Sequence, residues 1–134
     1  FSDINLQRIN PSMPYQDPRR PAVSWWFSAS DAEDVHAFNA LISPSAQDRL
    51  EAEGGVCIVA THLGKGFSEG GVVHSETRRL LERLSGKPGW FVPVGELLDW
   101  LRVQRGGAGH LPNAEWRRMQ WRWAWDLFRR KLGR

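Results

Sequence analysis

The sequence predicts an α/β fold built on a parallel sheet, and three observations carry that prediction. Val56-Cys57-Ile58-Val59-Ala60 is a continuous apolar run set between Gly54-Gly55 and Thr61-His62-Leu63-Gly64. Runs of this kind mark strands covered on both faces, as in sheets flanked by helices. The run is preceded and followed by segments of helical periodicity. The connections between them are short, which is the pattern of strand and helix alternating around a parallel sheet.

The elements follow in order. Residues 1–22 carry Pro11, Pro14, Pro18 and Pro21 among polar residues, which removes amide donors and fixes φ too often for regular structure, so an extended surface segment is expected. Val23 to Ala29 (VSWWFSA) is β-branched and aromatic and predicts a strand. Val35, Phe38, Leu41 and Ile42 recur at three- and four-residue spacing and predict a helix with one apolar stripe. Ser43 and Pro44 fit the N-cap and first position of a second helix, stopped after Glu53 by two glycines.

Beyond the apolar run, Ser75 is placed to cap a helix through Ser85 with Leu80, Leu81 and Leu84 on one face and Gly86 as its stop. Trp90 to Val94 (WFVPV) is expected as a further strand and Glu96 to Val103 as a further helix. After the RGGAG loop at 105–109, Asn113 opens a last helix expected to end near Gly133. On a helical wheel Trp116, Met119, Trp123 and Leu127 form one stripe, and Trp121, Trp125, Phe128 and Leu132 a second nearly opposite. A helix with two apolar faces has two surfaces to cover.

Composition narrows the function. A chain of 134 residues, 41% hydrophobic and 25% charged, is one ordinary domain or a piece of one. Its longest apolar run falls far short of the roughly 18 residues needed to cross a bilayer, so no transmembrane segment is expected. The single cysteine, Cys57, excludes a disulfide scaffold and a zinc finger, and inside the apolar run it is expected to pack as a small hydrophobe. The formal charge of +3 is unevenly placed. From Glu115 onward, seven arginines and lysines stand against two acids, a charge of +5, so the remaining chain carries −2. A near-neutral body with a basic, tryptophan-rich last helix weakens a nucleic-acid reading for the chain as a whole.

Among the four histidines, His62 has the most informative position. It directly follows the apolar run, at the carboxyl end of that strand, where active sites of α/β sheets and barrels gather. The alternative is a strand-end histidine satisfied by a local hydrogen bond. His36, His74 and His110 fall on a helix flank or in loops and are expected to be solvated. None of the four forms an HxxxH or HExxH pair, so no self-contained metal site is expected. The HLGKGF segment lacks the GxxxxGK[ST] spacing of a phosphate loop, and no GxSxG elbow names a serine nucleophile.

The run EGGVCIVATHLGKGF (Glu53 to Phe67), followed after a helix by GWFVPVGELLDWL (Gly89 to Leu101), resembles the C-terminal part of polysaccharide deacetylase-like proteins of the NodB-homology type. The similarity covers about residues 25–103, the last half of such a domain. The resemblance implies an irregular parallel (β/α) barrel and a hydrolase that removes acetyl groups from a carbohydrate polymer with the help of a divalent metal such as zinc. It divides the chain into an extended Pro-rich segment (1–22), the C-terminal half of a barrel (23–104), and a glycine loop with a Trp/Arg-rich terminal helix (105–134).

The family's late-strand Leu-x-His motif falls on Ala60 and His62, with Thr61 between them in the substrate pocket. The resemblance implies that His62 is the general acid, protonating the leaving group as the tetrahedral intermediate collapses. Ala60 is smaller than the family's leucine, which lines the pocket for the acetyl methyl group. The family's Thr-Phe-Asp-Asp motif and its His-x-x-x-His metal pair belong to the first half of the domain and do not occur here. The expectation is therefore a C-terminal fragment, inactive alone, whose partners are its missing N-terminal half and a carbohydrate polymer. The competing expectation is a non-catalytic interaction module whose basic Trp-rich helix meets a partner, a membrane surface or nucleic acid.

Overall fold

The computed structural model describes residues 1, 3–107 and 109–132. The chain is mixed α/β, and it divides into two compact units. One comprises Ser2–Arg8 and Ala29–Phe91; the other holds Ile9–Ser28 and Val92–Arg134, with Phe1.

The Ala29–Phe91 unit contains the sheet. Its elements are β1 (Ser30–Ala32), α2 (Val35–Leu41), α3 (Pro44–Glu53), β2 (Val59–Thr61), β3 (Ser68–Glu69), β4 (Val72–Val73) and α4 (Ser75–Ser85); α1 (Leu6–Ile9) precedes them in the chain. β1 and β2 run parallel with Ser30 opposite Val59, Asp31 opposite Ala60 and Ala32 opposite Thr61. Parallel neighbours need a crossover, and α2 and α3 supply it. Asp34 caps α2 by accepting the Ala37 N–H at 2.8 Å, which holds its carboxyl below the ordinary carboxylate range. Pro44 sits in the first turn of α3, and Gly54 ends that helix at φ +61°, a left-handed conformation that suits glycine.

The core beneath this sheet is made by Ile4, Ala32 and Leu41, with Phe38, Ala46, Leu50, Cys57 and Val59 packed against it. Ser30 and Ala32, both completely buried, are small enough to let the neighbouring chain approach. The Ser30 hydroxyl donates to the Asp3 carbonyl and the Leu6 N–H to the Val56 carbonyl, so the first residues of the chain lie along the sheet. α4 is fixed by Leu80, which is buried, and by Gln47. The Gln47 Nε2 donates to the carbonyls of Ile42 (2.8 Å) and Leu80 (3.0 Å), and its Oε1 accepts from Arg83 at 2.9 Å. At the surface Asp48 receives Arg83 and Lys87, and Glu53 receives Asn5 and Arg8.

The second unit is less regular. Its helices are α5 (Val94–Gln104) and α6 (Asn113–Leu132). Tyr15 and Trp26 exchange backbone hydrogen bonds at 3.0 and 2.9 Å, and Asn10 Nδ2 donates to the buried Ser28 hydroxyl. Guanidinium groups lie over indole rings three times: Arg19 over Trp116 at 4.3 Å, Arg20 over Trp26 at 4.9 Å and Arg102 over Trp25 at 5.6 Å. The Ser12 hydroxyl donates to Glu115 at the start of α6.

Several sequence expectations are corrected. Residues 1–22 are not a surface strip, because Ile4, Leu6 and Met13 are fully buried. The prolines forbid regular pairing there, but they do not forbid burial of the apolar residues between them. No strand forms over Val23–Ala29; the strand lies at Ser30–Ala32, where β2 offers a pairing partner. Trp25 and Trp26 instead stack with arginines, so side-chain contacts outweighed β-propensity. The apolar run forms a strand only at Val59–Thr61 and is not covered on both faces, since Ala60 is exposed. Trp90 to Val94 is no strand either: Pro93, which lacks a donor, is the N-cap of α5, and Trp90 and Phe91 are exposed. The stop expected at Gly133 lies outside the described residues.

Candidate functional site

The carboxyl end of the parallel pair gathers the residues singled out by sequence. Ala60 faces solvent, Thr61 is half-buried opposite Ala32, and His62 is the first residue beyond β2 and is exposed. The loop after His62 is built rather than slack. The His62 carbonyl accepts the Lys65 N–H at 3.0 Å, and the Lys65 carbonyl accepts the Val35 N–H at 3.1 Å, which pins the loop to the first residue of α2. Lys65 also pairs with Glu33 at 3.6 Å.

Gly66 shows why this loop needs glycine. Its φ is +82°, and a Cβ there would stand 2.8 Å from Val35 Cγ1. Phe67 then turns inward, buried and edge-on to Phe38 with centroids 5.2 Å apart. The hairpin β3–β4 follows, its two turn residues Gly70 and Gly71 both at positive φ as a tight primed turn requires. Its exit is tied back by the His74 N–H donating to the Phe67 carbonyl at 2.9 Å.

Among the described residues no hydrogen bond holds the His62 imidazole. A proton-transfer group needs its ring free to reach a reacting atom, and second groups to orient it. The exposed ring meets the first condition. Thr61 Oγ1, one residue earlier, is buried without a hydrogen-bond partner in the described structure. A buried hydroxyl of that kind is an unspent donor and acceptor at the end of β2.

Two histidines are more structured than their sequence positions implied. His74, expected to be solvated, is half-buried and is itself the N-cap of α4, the role expected of Ser75. Its Nδ1 accepts the Thr77 N–H at 3.4 Å, and Thr77 Oγ1 donates to Asn39 Oδ1 at 2.8 Å, linking α4 to α2. His36, exposed on α2, meets the His74 ring edge-on with centroids 6.2 Å apart. The signal in the sequence was present: His74 stands three residues before Thr77 at a helix start, the spacing of a capping side chain. Among the described residues, no three His, Cys, Asp or Glu side chains stand together so as to hold a metal ion.

Cys57 lies against the core, and burial pushes its thiol up to about 11. A thiol so placed is not a nucleophile at neutral pH. A cavity of about 350 Å³, bounded by Ile4, Leu41, Ser45 and Arg49, includes none of the candidate residues. No helix among the described residues is long and apolar enough to cross a membrane.

Comparison of the chain with protein-family models, with curated proteins and with solved structures finds no match.

Proposed function

We propose that this chain is the C-terminal part of a carbohydrate deacetylase-like hydrolase, with His62 as its late-strand general acid and Ala60 and Thr61 lining the substrate pocket. One observation carries the reading: His62 emerges unbonded at the carboxyl end of a parallel strand pair, on a loop whose backbone is fixed at Lys65, Gly66 and Phe67. In α/β folds that end is where reacting groups collect, because the strands hold their bases rigid while the loops vary. A fixed backbone with a free ring positions the imidazole to give a proton to a departing amine or alkoxide. General-acid assistance of this kind contributes typically ~10² to 10⁴ in rate.

The closed (β/α) barrel, the divalent metal and the base aspartate belong to the same proposal and are assigned to residues outside this chain. The 134-residue chain alone is then inactive. The test is acetate release from an acetylated chito-oligosaccharide by this chain and by the product of the whole gene that encodes it. The expected result is no release by the chain and chelator-sensitive release by the gene product. Chelator-insensitive release by the chain itself, or none by the gene product, overturns the reading.

A further inference from the structure

α6 presents a surface that the proposed acetyl chemistry does not use. Of its two apolar stripes, the one carrying Met119 is the more buried: Met119 is buried and Trp116 and Leu127 are half-buried, while Trp123 is 51% exposed. The opposite stripe is open. Trp121 is 77% exposed, Trp125 62%, Phe128 52% and Leu132 70%. At 3.6 residues per turn these four side chains fall within an arc of about 60° and run ~16 Å along the helix. Trp125 and Phe128 stack on one another at 5.9 Å, which makes the stripe continuous.

The charges around the stripe indicate its occupant. Arg117 and Lys131 stand on one shoulder and Arg118 and Arg129 on the other, all exposed, while the acids Glu115 and Asp126 fall toward the Met119 side. An apolar ridge with cations on both shoulders fits a plane that is apolar within and anionic at its rim. A second copy of the helix would bring cation against cation on either shoulder, in any orientation. Stacked nucleic-acid bases would be served by the indoles but not by Leu132, which offers no π-face. Indole rings are also the side chains that best occupy the boundary between headgroups and acyl chains. Since no described helix is long and apolar enough to span a bilayer, the stripe would lie along a surface rather than cross it.

We infer that α6 is an interfacial helix that docks on an anionic lipid bilayer through Trp121, Trp125, Phe128 and Leu132, with Arg117, Arg118, Arg129 and Lys131 on the headgroups. The inference does not rest on the deacetylase reading and survives its failure.

The experiment uses the 134-residue chain with vesicles of phosphatidylcholine alone, or of phosphatidylcholine with phosphatidylglycerol, read by co-sedimentation and by quenching of tryptophan emission with brominated acyl chains. The chain sediments with the anionic vesicles, its emission is quenched, and binding weakens as salt rises. Trp121→Ala with Trp125→Ala lowers partitioning by about tenfold and removes most of the quenching. Arg118→Glu with Arg129→Glu lowers it by more than about tenfold and flattens the salt dependence. All four positions are exposed, so circular dichroism should stay unchanged in both variants. Equal binding to zwitterionic vesicles, binding insensitive to either double substitution, tighter binding to an oligonucleotide, or a dimer in solution that the tryptophan substitutions dissociate would each overturn the inference.

Discussion

The two units use their aromatic and charged residues differently. In the unit of Ala29–Phe91, aliphatic side chains make the core under β1 and β2, and cations are paired with carboxylates: Arg83 and Lys87 with Asp48, Arg8 with Glu53, Arg49 with Asp3. In the unit of Ile9–Ser28 and Val92–Arg134, Arg19 and Arg102 pair with Asp17 and Asp99 but also lie over indoles, as Arg20 does, and the last helix leaves a tryptophan stripe outside. The first arrangement yields a scaffold that holds a loop in place. The second keeps its most expensive side chains at the surface, where they stabilise nothing by burial. Large apolar groups left exposed in a continuous patch point to an interaction.

The sharpest way to break the comparison is to delete from each unit. Leu80→Ala empties a fully buried position on α4 and is expected to cost about 2–5 kcal/mol in urea unfolding. Trp121→Ala, a larger deletion at an exposed position, should stay within about 0.5 kcal/mol. Equal costs would mean that the stripe on α6 is packed after all. Gln47→Ala tests the polar tie of the first unit: it removes the amide that bonds the Ile42 and Leu80 carbonyls, leaves Arg83 with Asp48, and should cost about 1–3 kcal/mol.

Acid sharpens the same contrast. Arg83 and Lys87 hold the Asp48 carboxyl below its usual range, and the Asn5 amide and Arg8 do so for Glu53. A folded-state pKa below the unfolded value gives stability that is present above the unfolded pKa and lost as pH falls through the folded one. The urea midpoint should therefore drop on going from pH 6 to below about pH 4, and less so in high salt. In the second unit Asp17 follows the same rule through Arg19. A midpoint that rises on acidification would contradict the pairing. The smallest effect concerns Cys57: with its thiol pushed up to about 11, alkylation at neutral pH should proceed far below the rate of free cysteine until the unit unfolds. Reaction at the free-thiol rate in the native protein would place Cys57 outside the core.

Helices were legible because their signals are local. Val35, Phe38 and Leu41 at helical spacing, Pro44 after Ser43 and Gly86 after Ser85 mark elements that the structure contains at nearly those bounds. Strands were not legible to the same degree. Pairing decides a strand, and Val23–Ala29 had the residues of a strand but makes only a single bridge, Trp26 to Tyr15, while Ser30–Ala32 pairs along its length with β2 and has unremarkable residues. The prolines of the first segment pointed to an extended surface strip and hid both the short helix α1 and the burial of Ile4, Leu6 and Met13. His62 could be placed because it follows an apolar run directly. The His36–His74 contact could not, because it joins residues brought together by the packing of α2 and α4.

The measurement that bears most directly on the proposed chemistry is His62→Ala in the gene product that carries this chain, with turnover and bound metal determined on the same sample. A general acid at this position predicts that turnover falls by about 10²- to 10⁴-fold while metal content is unchanged. Turnover that stays at the unsubstituted level, or metal that is lost together with the imidazole, would contradict it.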